Sequence, residues 1–320
     1  MSDIKVSVCI ITYNHENYIR QCLDSVFMQK TNFDFEVIVG EDKSPDNTRE
    51  ILMEYKEKYG DKLVLILHNE NVGPAGNSRS VQEKVHGQYI ASLEGDDFWT
   101  DENKLQKQYD ILEAHPEYSA VCHDIMGVMP DGEVWKKSYL NMKKDCIKSM
   151  KNWLDEGYSV HTCSIFRRNY NIPDKEKYIK LRTAEPTMGD VISFTLLYDM
   201  GDIYVLKDIM AAHRAAGKQD TSSYTIVQKT KAIELSYMYI RIVNNLDVYM
   251  EHKYDLTPMI CNRIAAVKLS KLLKNYTYDS KDMKKLMKSQ SIKIRIGVYR
   301  KLIRLMWNLV KNKLRKIYAR

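Results

Sequence analysis

The chain reads as an α/β fold, a largely parallel sheet flanked by helices, and three observations predict it. Short apolar runs alternate with helically spaced segments through roughly the first hundred of its 320 residues, a polar loop follows each run, and an acid-rich turn closes the fourth. Strands alternating with helices build parallel sheets. Such sheets bind ligands outside the carboxyl ends of their strands, so the polar loops are expected to gather along one edge.

Val6-Ser7-Val8-Cys9-Ile10-Ile11 predicts a buried first strand, too short to cross a membrane or to form the apolar core of a secretory signal. Thr12-Tyr13-Asn14-His15 follow as a loop, and Tyr18, Cys22, Leu23, Val26 and Phe27 then recur at helical spacing. Phe35 to Val39 repeats the plan as a second strand. Glu41-Asp42-Lys43-Ser44-Pro45-Asp46-Asn47 is its loop, with Asp46 or Asn47 as helix cap, and Ile51, Leu52, Tyr55 and Tyr59 form one helical face. Leu63 to Leu67 makes a third strand, and Asn71-Val72-Gly73-Pro74-Ala75-Gly76-Asn77 leads into a third helix. The fourth strand, Tyr89 to Leu93, runs directly into Glu94-Gly95-Asp96-Asp97. Three clustered carboxylates repel one another unless a cation or a ring of donors holds them. An all-oxygen set suits Mg²⁺ or Mn²⁺.

Taken in order, Val8-Cys9-Ile10-Ile11-Thr12-Tyr13-Asn14, Val39-Gly40-Glu41-Asp42-Lys43-Ser44-Pro45-Asp46-Asn47-Thr48, Asn71 to Arg79, and Leu93-Glu94-Gly95-Asp96-Asp97 resemble the successive signatures of family 2 glycosyltransferases. The resemblance covers about the first 215 residues. It implies a GT-A fold, a nucleotide-diphosphate sugar donor, a divalent cation (Mn²⁺ or Mg²⁺), and inversion at the anomeric carbon; a UDP-linked donor is the expectation. Asp96 aligns with the metal-contacting carboxylate of the family's Asp-x-Asp motif; Glu94 takes its first position, near ribose or the metal's waters. Asp97 either orients sugar hydroxyls or caps the helix that starts near Glu102.

The nucleotide base is expected across the first two loops, where Thr12 and Asn14 offer polar groups and Tyr13 an aromatic face. Glu41 or Asp42 accepts the N3 hydrogen of a uracil-like ring, and Glu41 aligns with the family's first acid; the alternative is a turn-forming segment before Pro45. Gly73 and Gly76 allow close backbone approach, with Asn77 beside them, and Arg79 reaches the diphosphate unless it is an ordinary exposed helix arginine. The segment Thr183 to Val191 resembles the family's Gly-Asp region. That likeness assigns Asp190 as the base taking the acceptor proton, with helix capping as its competing role and Glu185 as the second candidate.

One stretch departs from the family. Ala212-His213-Arg214-Ala215-Ala216-Gly217-Lys218 keeps Arg214, but Ala216 stands where relatives often carry His, and His213 takes an aromatic's place. Arg214 and Lys218 are candidate diphosphate neutralisers. A lone His such as His213 is more often structural than a ligand, and His161 is a candidate acceptor contact.

Charge divides the chain. From Ile226 onward there are 22 Lys or Arg against 6 Asp or Glu, which leaves 27 against 36 for the preceding residues. The domains expected are a catalytic one over 1–225 and a helical, basic region over 226–320. No Asp or Glu occurs from Gln290 to Arg320, where Tyr299, Leu302, Ile303, Met306, Leu309, Val310, Leu314 and Ile317 follow a helical stripe flanked by Lys and Arg. That pattern suits an anionic membrane surface; its alternative is a helix packed on the catalytic domain. No nucleic-acid motif accompanies it, so no nucleic-acid partner is expected. Six scattered cysteines without a CxxC pair read as reduced thiols, and the expected location is cytoplasmic, peripheral at the inner face of the cell membrane.

The function expected is therefore inverting, metal-assisted sugar transfer to a glycan or lipid-linked acceptor, in surface polysaccharide or glycoconjugate assembly. A sugar-phosphate nucleotidyltransferase is the second reading, disfavoured because Thr12-Tyr13-Asn14-His15 is not the Gly-rich basic loop such enzymes usually show. A non-catalytic membrane or nucleic-acid adaptor is the third. It would have no need of four polar loops at one sheet edge.

Overall fold

A computed structural model describes residues 4–157, 161–170, 175–184, 188–215 and 230–318. The chain forms two compact units. The first comprises Met1–Met150, Tyr158–Ile172 and Ser193–Gly217; the second comprises Lys151–Gly157, Pro173–Ile192 and Lys218–Arg320.

The first unit is built on one sheet. Its strands are β1 Val6–Thr12, β2 Phe35–Glu41, β3 Leu63–Leu67, β4 Tyr89–Glu94, β5 Phe98–Trp99, β6 Tyr118–Val128, β7 Val134–Lys136, β8 Cys146–Lys148, β9 Phe166–Arg168 and β10 Asp202–Arg214. They lie in the order β3-β2-β1-β4-β9-β6-β10-β5, with β7 on β6 and β8 on β10. β1 runs parallel to β2 and β4, β2 to β3, and β6 to β10. β9 runs antiparallel to both β4 and β6. The sheet is thus mixed and largely parallel, as the alternating pattern predicts.

Helices α1 (Ile19–Phe27), α2 (Thr48–Tyr59), α3 (Gly73–Gln82) and α4 (Lys104–Ala114) follow the first four major strands. β2 is buried along its whole length, because a parallel strand covered on both faces carries apolar side chains at nearly every position. Val8, Ile10, Val37, Val39, Ile19, Leu23 and Leu52 share one core. α3 sits tightly on β2: Asn77 Nδ2 donates to Gly40 O at 2.8 Å, and a Cβ at Gly40 would lie 1.9 Å from Asn77 Oδ1. Capping of α2 is shared between the two expected residues. Asn47 holds the cap position, while Asp46 Oδ1 accepts from the Thr48 amide at 3.1 Å.

The second unit is helical. α5 (Met150–Glu156) enters it, α6 (Lys175–Ala184) lies within it, and α7 (Gly189–Met200) begins in it. α8 (Ala232–Tyr249), α9 (Thr257–Leu272), α10 (Ser280–Lys288) and α11 (Ile292–Tyr318) complete it. Among the described residues no helix is long and apolar enough to cross a membrane. All six cysteines are free thiols, and burial pushes that of Cys9 up to about 12.

Candidate functional site

The carboxyl ends of β1, β2 and β4 carry three loops that hydrogen bonds tie together. Asn14 takes a left-handed backbone with φ of 59°, which Asn tolerates better than most residues. Its amide then donates to Ser44 Oγ at 3.0 Å. The Asp42 amide donates to Thr12 O at 3.1 Å, and the His15 amide to Thr48 Oγ1 at 2.9 Å. The acid-rich turn presses on the first loop as well: Gly95 N donates to Ile11 O at 3.0 Å. A side chain at Gly95 would place its Cβ 2.5 Å from Thr12 Oγ1, so only glycine lets the turn come this close.

The two acids of the second loop have different roles in the fold. Glu41 is fully buried; one oxygen accepts from the Ser44 amide and the other pairs with Arg49. Its accepting capacity is directed at its own loop. Asp42 Oδ1 accepts from the Val72 amide at 2.7 Å, which draws the third loop in. Its second oxygen has no partner among the described residues, which makes Asp42 the freer acceptor for a base N–H. Thr12 is buried beside them and Tyr13 is 45% exposed, leaving the tyrosine ring open for stacking.

In the third loop Gly73 adopts φ of 73° and opens α3. Asn77 is buried and tied to Gly40, so it fastens the helix to the sheet. Arg79 is exposed on α3, its side chain makes no hydrogen bond or ion pair among the described residues, and its fork is available to an anion.

The acid turn separates its carboxylates by environment. Glu94 ends β4, partly buried. Asp96 keeps a third of its side chain exposed, with His15 Nε2 4.0 Å from its carboxylate. Asp97 is buried and caps no helix: its Oδ1 accepts from Arg214 N at 2.8 Å and lies 3.2 Å from His213 Nδ1. His161 Nδ1 lies 4.0 Å from Asp97 Oδ2, and the two imidazole rings stand 4.1 Å apart. One atom each from Asp97, His161 and His213 fall within 4.8 Å of one another, a grouping able to hold a metal ion.

Burial, and then the charge of Asp96, raise the Asp97 carboxyl above its ordinary range, although His213 and the Arg214 amide oppose them. Burial acts against the His213 cation, yet the hydrogen bond and charge of Asp97 win and raise it. His161 is pushed down to about 3, by burial first and then by His213. It is therefore a neutral imidazole, the form that ligates metal.

Arg214 occupies a different place from that of a diphosphate neutraliser. Its guanidinium donates to Asp96 O at 2.9 Å, to Met129 O and Pro130 O at 3.2 Å, and to Gln21 Oε1 at 2.7 Å. The ring of Tyr18 lies 4.4 Å away. With four of its N–H groups engaged, it clamps the acid turn to β10 and α1. Asp190 stands exposed in the first turn of α7, at the start of a helix that opens in the second unit. Glu185 and Lys218 lie outside the described residues.

Sequence reasoning did not single out Trp135 or Tyr139 and read His213 as structural rather than as a ligand. Trp135, 50% exposed, meets the Tyr139 ring edge-on at 5.9 Å, and Tyr139 meets His213 at 6.2 Å. Aromatic rings thus run from the surface to the buried Asp97. The available signal was His213 standing in an aromatic's position; nothing local marked Trp135.

Comparison with known proteins places these residues in context. The family model described as Glycosyl transferase family 2 matches residues 7–191. TuaG of Bacillus subtilis, named for a glycosyltransferase role in teichuronic acid biosynthesis, is 35% identical over 107 residues, 33% of this chain and 41% of that protein. The chain spans less than half the length of the curated relatives it matches. S. aureus TarS 1-349, in complex with UDP, superposes with a TM-score of 0.58 at 16% identity, over 91% of this chain and 76% of that one. A mannosyltransferase from Pyrobaculum calidifontis, in complex with GDP-Man and Mn²⁺, gives 0.51 at 15% identity, over 93% and 86%.

Proposed function

The chain belongs to glycosyl transferase family 2, and on that premise we propose that it transfers a sugar from a UDP-linked donor to a glycan or lipid-linked acceptor, with inversion at the anomeric carbon. The observation that carries this reading is the knot of hydrogen bonds that draws the Thr12–Asn14, Glu41–Asp46 and Glu94–Asp97 loops to one edge of a GT-A sheet. The UDP in the TarS complex supports the donor class, and the name of TuaG supports a role in surface polysaccharide assembly.

The residues fit a divalent cation. A buried Asp97 and two imidazoles, one of them neutral, give a mixed oxygen and nitrogen donor set next to the partly exposed Asp96, and such a set suits Mn²⁺ better than Mg²⁺. Asp96, Asp97, His213 and His161 would hold it, and a bound cation would supply Lewis-acid stabilisation of the departing diphosphate.

The chain's own groups do the rest. Tyr13 stacks on the base and Asp42 accepts its N–H, leaving a costly unpaired carboxylate with any base that lacks the donor. Arg79 meets diphosphate oxygens with its planar fork. Asp190 takes the acceptor hydroxyl's proton as that oxygen attacks the anomeric carbon, where positive charge develops as the sugar–phosphate bond breaks.

A panel of nucleotide sugars with Mn²⁺, scored by thermal shift and then by product, tests the reading. A UDP-sugar is expected to stabilise the protein and to yield free UDP. Release of pyrophosphate instead would indicate a nucleotidyltransferase. On the acceptor side, Trp135 presents a flat apolar face of the kind sugar rings stack upon. Trp135→Ala is expected to raise the acceptor KM by about tenfold, the equivalent of ~1.4 kcal/mol, with donor affinity unchanged in steady-state assays that vary each substrate in turn.

A further inference from the structure

The longest helix carries two apolar faces, and the fold uses only one. α11 packs on α9 through Val298 and Leu302, both buried. Gly297 lets it come close, since a Cβ there would lie 2.5 Å from Cys261 Sγ. About a third of a turn round the helix, Ile292, Ile296, Tyr299, Ile303, Met306, Trp307 and Val310 form a second stripe. Every one of them is exposed, Ile292 and Ile303 to 67% and Trp307 to 58%. At ~1.5 Å per residue this stripe is about 27 Å long.

Its flanks are basic. Arg300, Arg304 and Lys311 repeat at spacings that set them on one side of the stripe, where Lys293 also stands but is paired with Asp255 at 2.8 Å, and Arg295 lies on the other. Arg300, Arg304 and Lys311 are exposed. Lys301, on the inner side, is used within the fold, donating to Asp155 O at 2.5 Å. No Asp or Glu occurs after Asp282.

We propose that α11 is an interfacial helix that docks the protein on an anionic lipid surface, with the apolar stripe in the acyl boundary and the arginines and lysines at the phosphates. The combination selects the occupant. A second copy of the same helix would satisfy the stripe but would set one basic rail against another. A nucleic acid would satisfy the rail but leave Trp307 and its aliphatic neighbours in water. A negatively charged membrane satisfies both, burying the stripe while the long basic side chains reach its headgroups. Docking of this kind is independent of sugar transfer, since a chain inactive as a transferase would still bind.

The test uses the full chain with vesicles of phosphatidylcholine alone or mixed with phosphatidylglycerol, scored by flotation and by Trp emission. Binding to the mixed vesicles is expected, weakened by salt, with a blue shift that Trp307→Phe removes. Ile303→Glu with Met306→Glu should lower association by at least about tenfold, a loss of ~1.4 kcal/mol, with helical content by circular dichroism unchanged. Arg300→Gln with Arg304→Gln, which leaves the apolar faces intact, should weaken binding only to the anionic vesicles. Lack of flotation with anionic vesicles at low salt would overturn the proposal. So would RNA binding without lipid binding, or self-association that the Glu pair abolishes while vesicles have no effect.

Discussion

Asp96→Asn is expected to reduce kcat/KM at least about a thousandfold, roughly 4 kcal/mol of transition-state stabilisation, while the thermal midpoint stays close to that of the parent. The two halves of this expectation come from one geometric fact. Asp96 is the member of the acid turn that keeps a third of its side chain in solvent, and substitutions away from buried networks usually change stability by no more than ~0.5 kcal/mol. Its neighbour could not serve the same test. Asp97 is buried against His213 and the Arg214 amide, so its removal would leave those groups unpaired and confound folding with chemistry. Single-turnover transfer and calorimetric titration of donor with and without Mn²⁺ separate the effects. The variant should lose the manganese dependence of donor binding, and wild-type turnover by it would refute the assignment.

The difference between those two aspartates also marks how far the sequence could be read. The first four strands, their loops and their helices were legible because each is declared by apolar periodicity within a dozen or so residues. The partners of Asp97 were not. Arg214 N lies 117 positions away and arrives because β10 pairs antiparallel with β5, Ala212 against Phe98, a long-range pairing that no local pattern announces. Glu41 shows the same limit at short range. Its alignment suggested a base contact, but Arg49, in the first turn of α2, captures its carboxylate, so the base contact is proposed for Asp42 instead. Arg214 had the right charge for a diphosphate, yet carbonyls of the β6–β7 turn and of the acid turn take up its donors. For α11 the stripe was legible but its division was not. Only the packed structure distinguishes Leu302, buried, from Ile303, exposed.

Asp190→Asn should keep the donor bound and lose the reaction. The substitution preserves size and hydrogen-bonding shape but removes the lone pair that accepts a proton. The loss expected is that of a general base, about 10²–10⁴ in kcat, with the donor Kd from calorimetry unchanged. A helix-capping role alone predicts a different result. Asn caps nearly as well as Asp, so a purely structural Asp190 would tolerate the change with kcat intact. The first turn of α7 suits either role, because a carboxylate there can satisfy one helix amide with one oxygen and present the other to a substrate. Glu185→Gln is the necessary companion. If that variant is the silent one and Asp190→Asn retains turnover, the proton passes to the glutamate. If both variants bind donor but only Asp190→Asn fails to transfer, the base is the aspartate at the head of α7.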